Sequence, residues 1–129
     1  MIVYPTADDI RVFHEVALER YGGVEGEHEP GQIEFMAEKP AMESFGEELY
    51  PGLFMKAAVY LCGFATRQYF VDGNKRPAYL TMAAFLEMNG HRIMISDDEV
   101  YDITMKVANN KISEEEVALW LDSIFITPS

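Results

Sequence analysis

The stretch Phe70-Val71-Asp72-Gly73-Asn74-Lys75-Arg76 joins two apolar segments and carries the residue types that bind phosphate. Asp72-Gly73 is a turn signal, and the periodic segment beyond it predicts a helix starting at Asn74 or just after. The first backbone N–H groups of a helix have no partner inside it and form a ready anion site. Gly73 admits close approach of the backbone to a ligand. Asn74 can cap the helix or hydrogen-bond a phosphate oxygen. Lys75 offers a point charge and Arg76 a fork for two oxygens. Asp72 supplies the hard oxygen donors that Mg²⁺ on a nucleotide takes. Phe70 is expected to anchor the turn in the core.

Lys75 and Arg76 fall in the first helical turn, where the helix dipole disfavours each cation by ~0.3–1 kcal/mol. The other helix starts are expected to obey the dipole rule with Asp or Glu. A bound phosphate would reverse the sign of the penalty, because it attracts the amides and both cations together. The competing reading is a surface turn with two solvated basic residues. The stretch is not a Walker A loop, since no Gly-Lys-Ser/Thr occurs.

About six helices must position this turn. Thr6 with Asp9 predicts a capping box at the first, with Ile10, Phe13, Ala17 and Tyr21 as its inner face and Gly22-Gly23 as its stop. Pro30 is expected at the first position of a short helix that Pro40 ends, with Ile33, Met36 and Ala37 inward. Residues 41–50 lack a period and read as a loop or extended flap. Pro51 is expected to open a helix that is apolar nearly all round and therefore central, running to about Gln68. Asn89-Gly90 reads as a left-handed cap after the helix that follows the turn, and residues 91–95 as a short strand or extended link. Ser96 with Glu99 and Ser113 with Glu116 predict two more capped, amphipathic helices. No internal repeat or linker divides the 129 residues, so one all-α domain is expected.

The formal net charge of −12 opposes general binding of nucleic acid, although one basic spot can still hold a nucleotide. Cys62 is the one cysteine, which leaves no intramolecular disulfide and no Cys-based metal site; within its apolar run it reads as a buried thiol. No signal-peptide pattern and no apolar run of membrane-spanning length occur, so a cytoplasmic location is the default.

The segment resembles the signature of Fic/Doc proteins, in the variant of death-on-curing (Doc) toxins. The resemblance continues through Tyr21-Gly22-Gly23 with Pro30-Gly31, through Phe45-Gly46-Glu47-Glu48-Leu49-Tyr50-Pro51, and through Phe85-Leu86-Glu87-Met88-Asn89-Gly90 with the helices after it. It implies an all-α Fic/Doc fold with the motif between two central helices. It also implies ATP with Mg²⁺ as cofactors and transfer of a phosphate-containing group to a protein hydroxyl. Fic proteins usually transfer AMP, whereas the best-known Doc toxin phosphorylates elongation factor Tu. Lys75, where Fic proteins more often have Gly, favours the Doc branch. A Phd-like antitoxin is the implied partner, and the flap around residues 42–48 is implied to position the protein target. No Ser/Thr-x-x-x-Glu-Gly/Asn inhibitory string occurs, which points to inhibition in trans.

One motif position departs. Where the family carries the His that deprotonates the target hydroxyl, this chain has Gln68. Gln cannot take the proton, and losing a general base typically costs about 10²–10⁴-fold in rate. Gln68 is either natural, giving a weakened or repurposed enzyme, or an introduced change that silences a toxin. Asp72, Gly73, Asn74, Lys75 and Arg76 keep the phosphate-binding half of the motif. An impaired transferase and an inactive binder of nucleotide or antitoxin both fit. His14 reads as a surface or packing residue, His91 as a cation suited to a helix end, and His28 as the least improbable substitute base.

Overall fold

The computed structural model describes residues 1–67, 69–70 and 75–124. Among these residues the order is α1 (Ala7–Tyr21), α2 (Gln32–Glu38), β1 (Glu43–Ser44), β2 (Glu47–Glu48), α3 (Leu53–Thr66), α4 (Lys75–Met88), α5 (Asp97–Ala108) and α6 (Glu114–Ile124). The fold is all-α, as the periodicity indicated, with one two-stranded antiparallel hairpin.

α3 is the hub because it is apolar on nearly every face. Lys56 through Phe64 are all buried, and the helix packs against α4, α5 and α6. Met36 of α2 seats against Gly63, where a Cβ would collide with its thioether end. The Tyr60 hydroxyl, which needs a partner inside the core, donates to the carbonyl of Ala37 at 3.0 Å.

Local signals set the helix starts. The Thr6 hydroxyl accepts from the N–H of Asp9 at 3.1 Å, and the Asp9 carboxylate accepts from the N–H of Thr6 at 2.9 Å. Ser113 and Glu116 repeat the exchange at 3.1 and 3.3 Å, and the Ser96 hydroxyl accepts from the N–H of Glu99 at 3.2 Å. Each such cap contributes about 1 kcal/mol.

Two of the three proline expectations need correction. α2 begins at Gln32 behind Gly31 (φ 87°), and α3 begins at Leu53 behind Gly52 (φ 93°). Each glycine takes a positive φ that a helix cannot run through, so Pro30 and Pro51 stand outside the helices. Pro40 does end the short helix as expected: α2 stops at Glu38, and Pro40 sits in a 3₁₀ turn over Lys39–Ala41. α3 stops at Thr66, short of Gln68, and Arg67 is already extended. Gly90 does cap α4 (φ 85°), with the N–H of His91 donating to the carbonyl of Leu86 at 2.8 Å. Residues 91–96 form a link with neither helix nor strand.

The aperiodic residues 41–50 hold the hairpin. Its two-residue turn puts Phe45 at φ 52° and Gly46 at φ 80°, the paired positive values that a primed turn requires.

Candidate active site

The strand-like entry into the motif is held from two sides. The N–H of His28 donates to the carbonyl of Tyr69 at 3.0 Å, and Glu27 pairs with Phe70 in an isolated antiparallel bridge. The Phe70 ring is 1% exposed and lies parallel to the His14 imidazole, centroids 3.8 Å apart and planes within 9°. Burial of such a ring contributes about 1.5–3 kcal/mol. Phe70 is therefore the expected anchor, and His14 is a packing residue of α1.

Arg11 clamps the loop that lies along this entry. Its Nε and Nη2 reach the Glu27 carboxylate at 2.8 and 3.1 Å, and its Nη2 reaches Glu34 at 2.7 Å. The hydrogen bond from Arg11 holds the Glu34 carboxyl below its ordinary range, and both carboxylates raise the guanidinium. Sequence reasoning missed Arg11, because Glu27 and Glu34 lie on other elements; its third carboxylate, Asp8 at 3.8 Å, is a neighbour within α1.

Lys75 and Arg76 are exposed in the first turn of α4, which contains no acidic residue. Among the described residues neither has a carboxylate within 4.0 Å. Arg76 instead lays its guanidinium over the Tyr21 ring, with Cζ 3.3 Å from the centroid. Tyr21 was expected on the inner face of α1, yet it is 58% exposed. The buried line is Ile10, His14 and Ala17; at the helix's last residue, beside Gly22, that face has run past the core. An aromatic residue at the very end of a helix was the signal that could have separated Tyr21 from the core.

Gln68, Asp72, Gly73 and Asn74 lie outside the described residues. The structure thus brings Phe70 and Arg76 together with α1 and leaves Lys75 open beside them.

The expectation that every other helix start is acidic fails at α3. Its first turn has no Asp or Glu and carries Lys56, which is fully buried. Its ammonium sits 3.0 Å from the Glu48 carboxylate and donates to the carbonyl of Tyr50 at 2.5 Å. Basic residues at a helix start are therefore not distinctive in themselves. What distinguishes α4 is that its cations lack described counter-charges.

Cys62 is buried, and burial pushes its thiol up to about 12, so it is a packing residue and not a nucleophile at neutral pH. Among the described residues no three His, Cys, Asp or Glu side chains cluster as a metal site, and no helix is long and apolar enough to cross a membrane.

The model of the Fic/Doc family matches residues 4–86, from the segment before α1 to the last turn of α4. The chain belongs to the Fic/Doc family. Protein kinase doc of Escherichia phage P1 is 32% identical over 111 residues, 86% of each chain. Toxin Doc of Mycolicibacterium smegmatis is 28% identical over 120 residues, 92% of this chain and 90% of its own. The Fic/Doc match spans the hairpin, Lys56, Tyr21 and the whole motif. The matches to the two Doc relatives are long enough that they must also take in α5.

Proposed function

We infer that this Fic/Doc protein is a Doc-like toxin of a toxin–antitoxin pair that transfers the γ-phosphate of ATP to a hydroxyl of a protein target, with the transfer step impaired by Gln68. The observation that carries this reading is the start of α4, where Lys75 and Arg76 stand exposed without described counter-charges. Two cations at a helix start suit a triphosphate. The name of the phage relative, a protein kinase, favours phosphate over AMP as the transferred group. The Asp72 carboxylate has the donor chemistry for Mg²⁺, which would neutralise phosphate charge when bound.

Within this reading each residue has one task. Arg76 forks two phosphate oxygens, Lys75 adds a point charge, and Gly73 and Asn74 contribute close backbone and amide contacts. Phosphoryl transfer is largely positioning and charge stabilisation, so these residues retain value without a base. Gln68 can hydrogen-bond the target hydroxyl but cannot accept its proton. The hairpin carrying the exposed Phe45 ring positions the protein target, and a Phd-like antitoxin blocks the cleft in trans. In this reading the site of action is the cytoplasm and the substrate is a translation factor, a class to which elongation factor Tu belongs.

Labelled ATP with purified translation factors tests the reading. Gln68→His is expected to raise labelling by about 10²–10⁴-fold over the chain as it stands. Labelling of no protein by either chain would reject the transferase. Gln68 favours one second reading, a pseudoenzyme that binds nucleotide or antitoxin without turnover. ATP–Mg²⁺ binding that disappears in Arg76→Ala, with no transfer even in Gln68→His, would select it.

A further inference from the structure

We propose that Tyr21 is a positioning residue for Arg76, holding the face of the guanidinium so that its edge is presented to phosphate. The inference rests on the phosphate-binding reading of the α4 start.

A guanidinium has two distinct surfaces. Its five N–H donors lie in the plane, while its faces are poorly hydrated and stack on aromatic rings. Stacking on Tyr21 at 3.3 Å occupies a face and leaves the in-plane fork available. An ion pair with a carboxylate would do the reverse and consume the fork that a phosphate needs. The described surroundings provide the ring and, within 4.0 Å, no carboxylate.

The backbone that carries the ring is anchored. Tyr21 ends α1, whose last turn closes with the N–H of Gly22 donating to the carbonyl of Leu18 at 2.8 Å. α1 packs on α4, and the His14–Phe70 stack ties the same two stretches of chain one layer deeper. Two parallel contacts therefore join α1 to the motif, a buried one that places the loop and an exposed one that places a cation. An arginine in water loses rotamer freedom when it binds. A ring that restrains it beforehand reduces that loss, which is preorganisation in the ordinary sense.

Calorimetric titration with ATP–Mg²⁺ tests this on wild type, Tyr21→Leu, Tyr21→Phe, Arg76→Ala and the Tyr21→Leu/Arg76→Ala pair. The Arg76 Nε–H resonance is followed in the proteins that retain it. Tyr21→Leu is expected to weaken ATP about two- to fivefold, the scale of an exposed cation–π contact. Tyr21→Phe keeps wild-type affinity, and Tyr21→Leu has no further effect once Arg76 is Ala. The ring-current shift of the Arg76 Nε–H is lost in Tyr21→Leu and kept in Tyr21→Phe. Unchanged or tighter ATP binding in Tyr21→Leu overturns the inference, as does an equal loss in the Arg76→Ala background. Wild-type protein that binds no ATP overturns the phosphate reading and this inference with it. Wild type that binds ATP beside an indifferent Tyr21→Leu overturns this inference alone.

Discussion

Two helix starts in this protein carry cations against the dipole, and they treat them in opposite ways. At α3, Lys56 is fully buried, with Glu48 and the carbonyl of Tyr50 around its ammonium. At α4, Lys75 and Arg76 are exposed, and Arg76 has a ring against its face in place of a counter-charge. The first arrangement fastens the hairpin to the central helix. The second leaves both cations exposed at the first two positions of the helix. The same local violation thus serves structure in one case and, in the proposed reading, a ligand in the other. Only the partners tell them apart.

The largest expected effect falls on the structural cation. Lys56→Ala removes a fully buried chain and is expected to cost about 2–5 kcal/mol, read by chemical denaturation. Lys56→Met fills the same space without the charge, and the expected cost is below about 1.5 kcal/mol. If both variants cost the same, the ammonium and not the packing carries the contribution. Next comes Arg76→Ala, expected to weaken ATP–Mg²⁺ about 10- to 100-fold, the scale of a charge-assisted hydrogen bond. Its stability should stay within about 0.5 kcal/mol of wild type, as for an ordinary surface change. A large loss of stability there would erase the contrast between the two helix starts.

Smaller effects sharpen the hairpin side. Phe45 holds φ 52° at a fully exposed position, where Asn before Gly is the preferred pair. Phe45→Asn should stabilise the hairpin by up to about 1 kcal/mol, since a non-Gly residue forced left-handed costs that order. Protein labelling by Gln68→His should nevertheless fall in the Phe45→Asn background if the ring touches the target. The smallest effect concerns Cys62. Its folded thiol is raised to about 12 from the ordinary 9.0 by burial. The unfolded chain therefore ionises first, and this contribution is full below pH 9 and fades as pH rises toward 12. Cys62→Ala should show a shallower fall of melting temperature above pH 9 than wild type does.

Much of the fold was legible because it rests on local rules. Thr6, Ser96 and Ser113 announce their helices by side chains within three residues of the backbone they cap. The apolar circumference of α3 announces a central helix by composition alone. The readings of Pro30 and Pro51 failed because the following Gly31 and Gly52 override them through positive φ. The motif was legible as a string, and its match to the Fic/Doc family is independent of side-chain geometry.

The sequence by itself determined the all-α class, the helix caps and the family. These depend on residue types and on neighbours in the chain. Tertiary structure alone decided which cation is neutralised and which stays open, that Tyr21 leaves the core to meet Arg76, and that Arg11 clamps Glu27 and Glu34. Each of those contacts joins elements distant in sequence, so its energy depends on where the helices pack. No periodicity in a single segment encodes that.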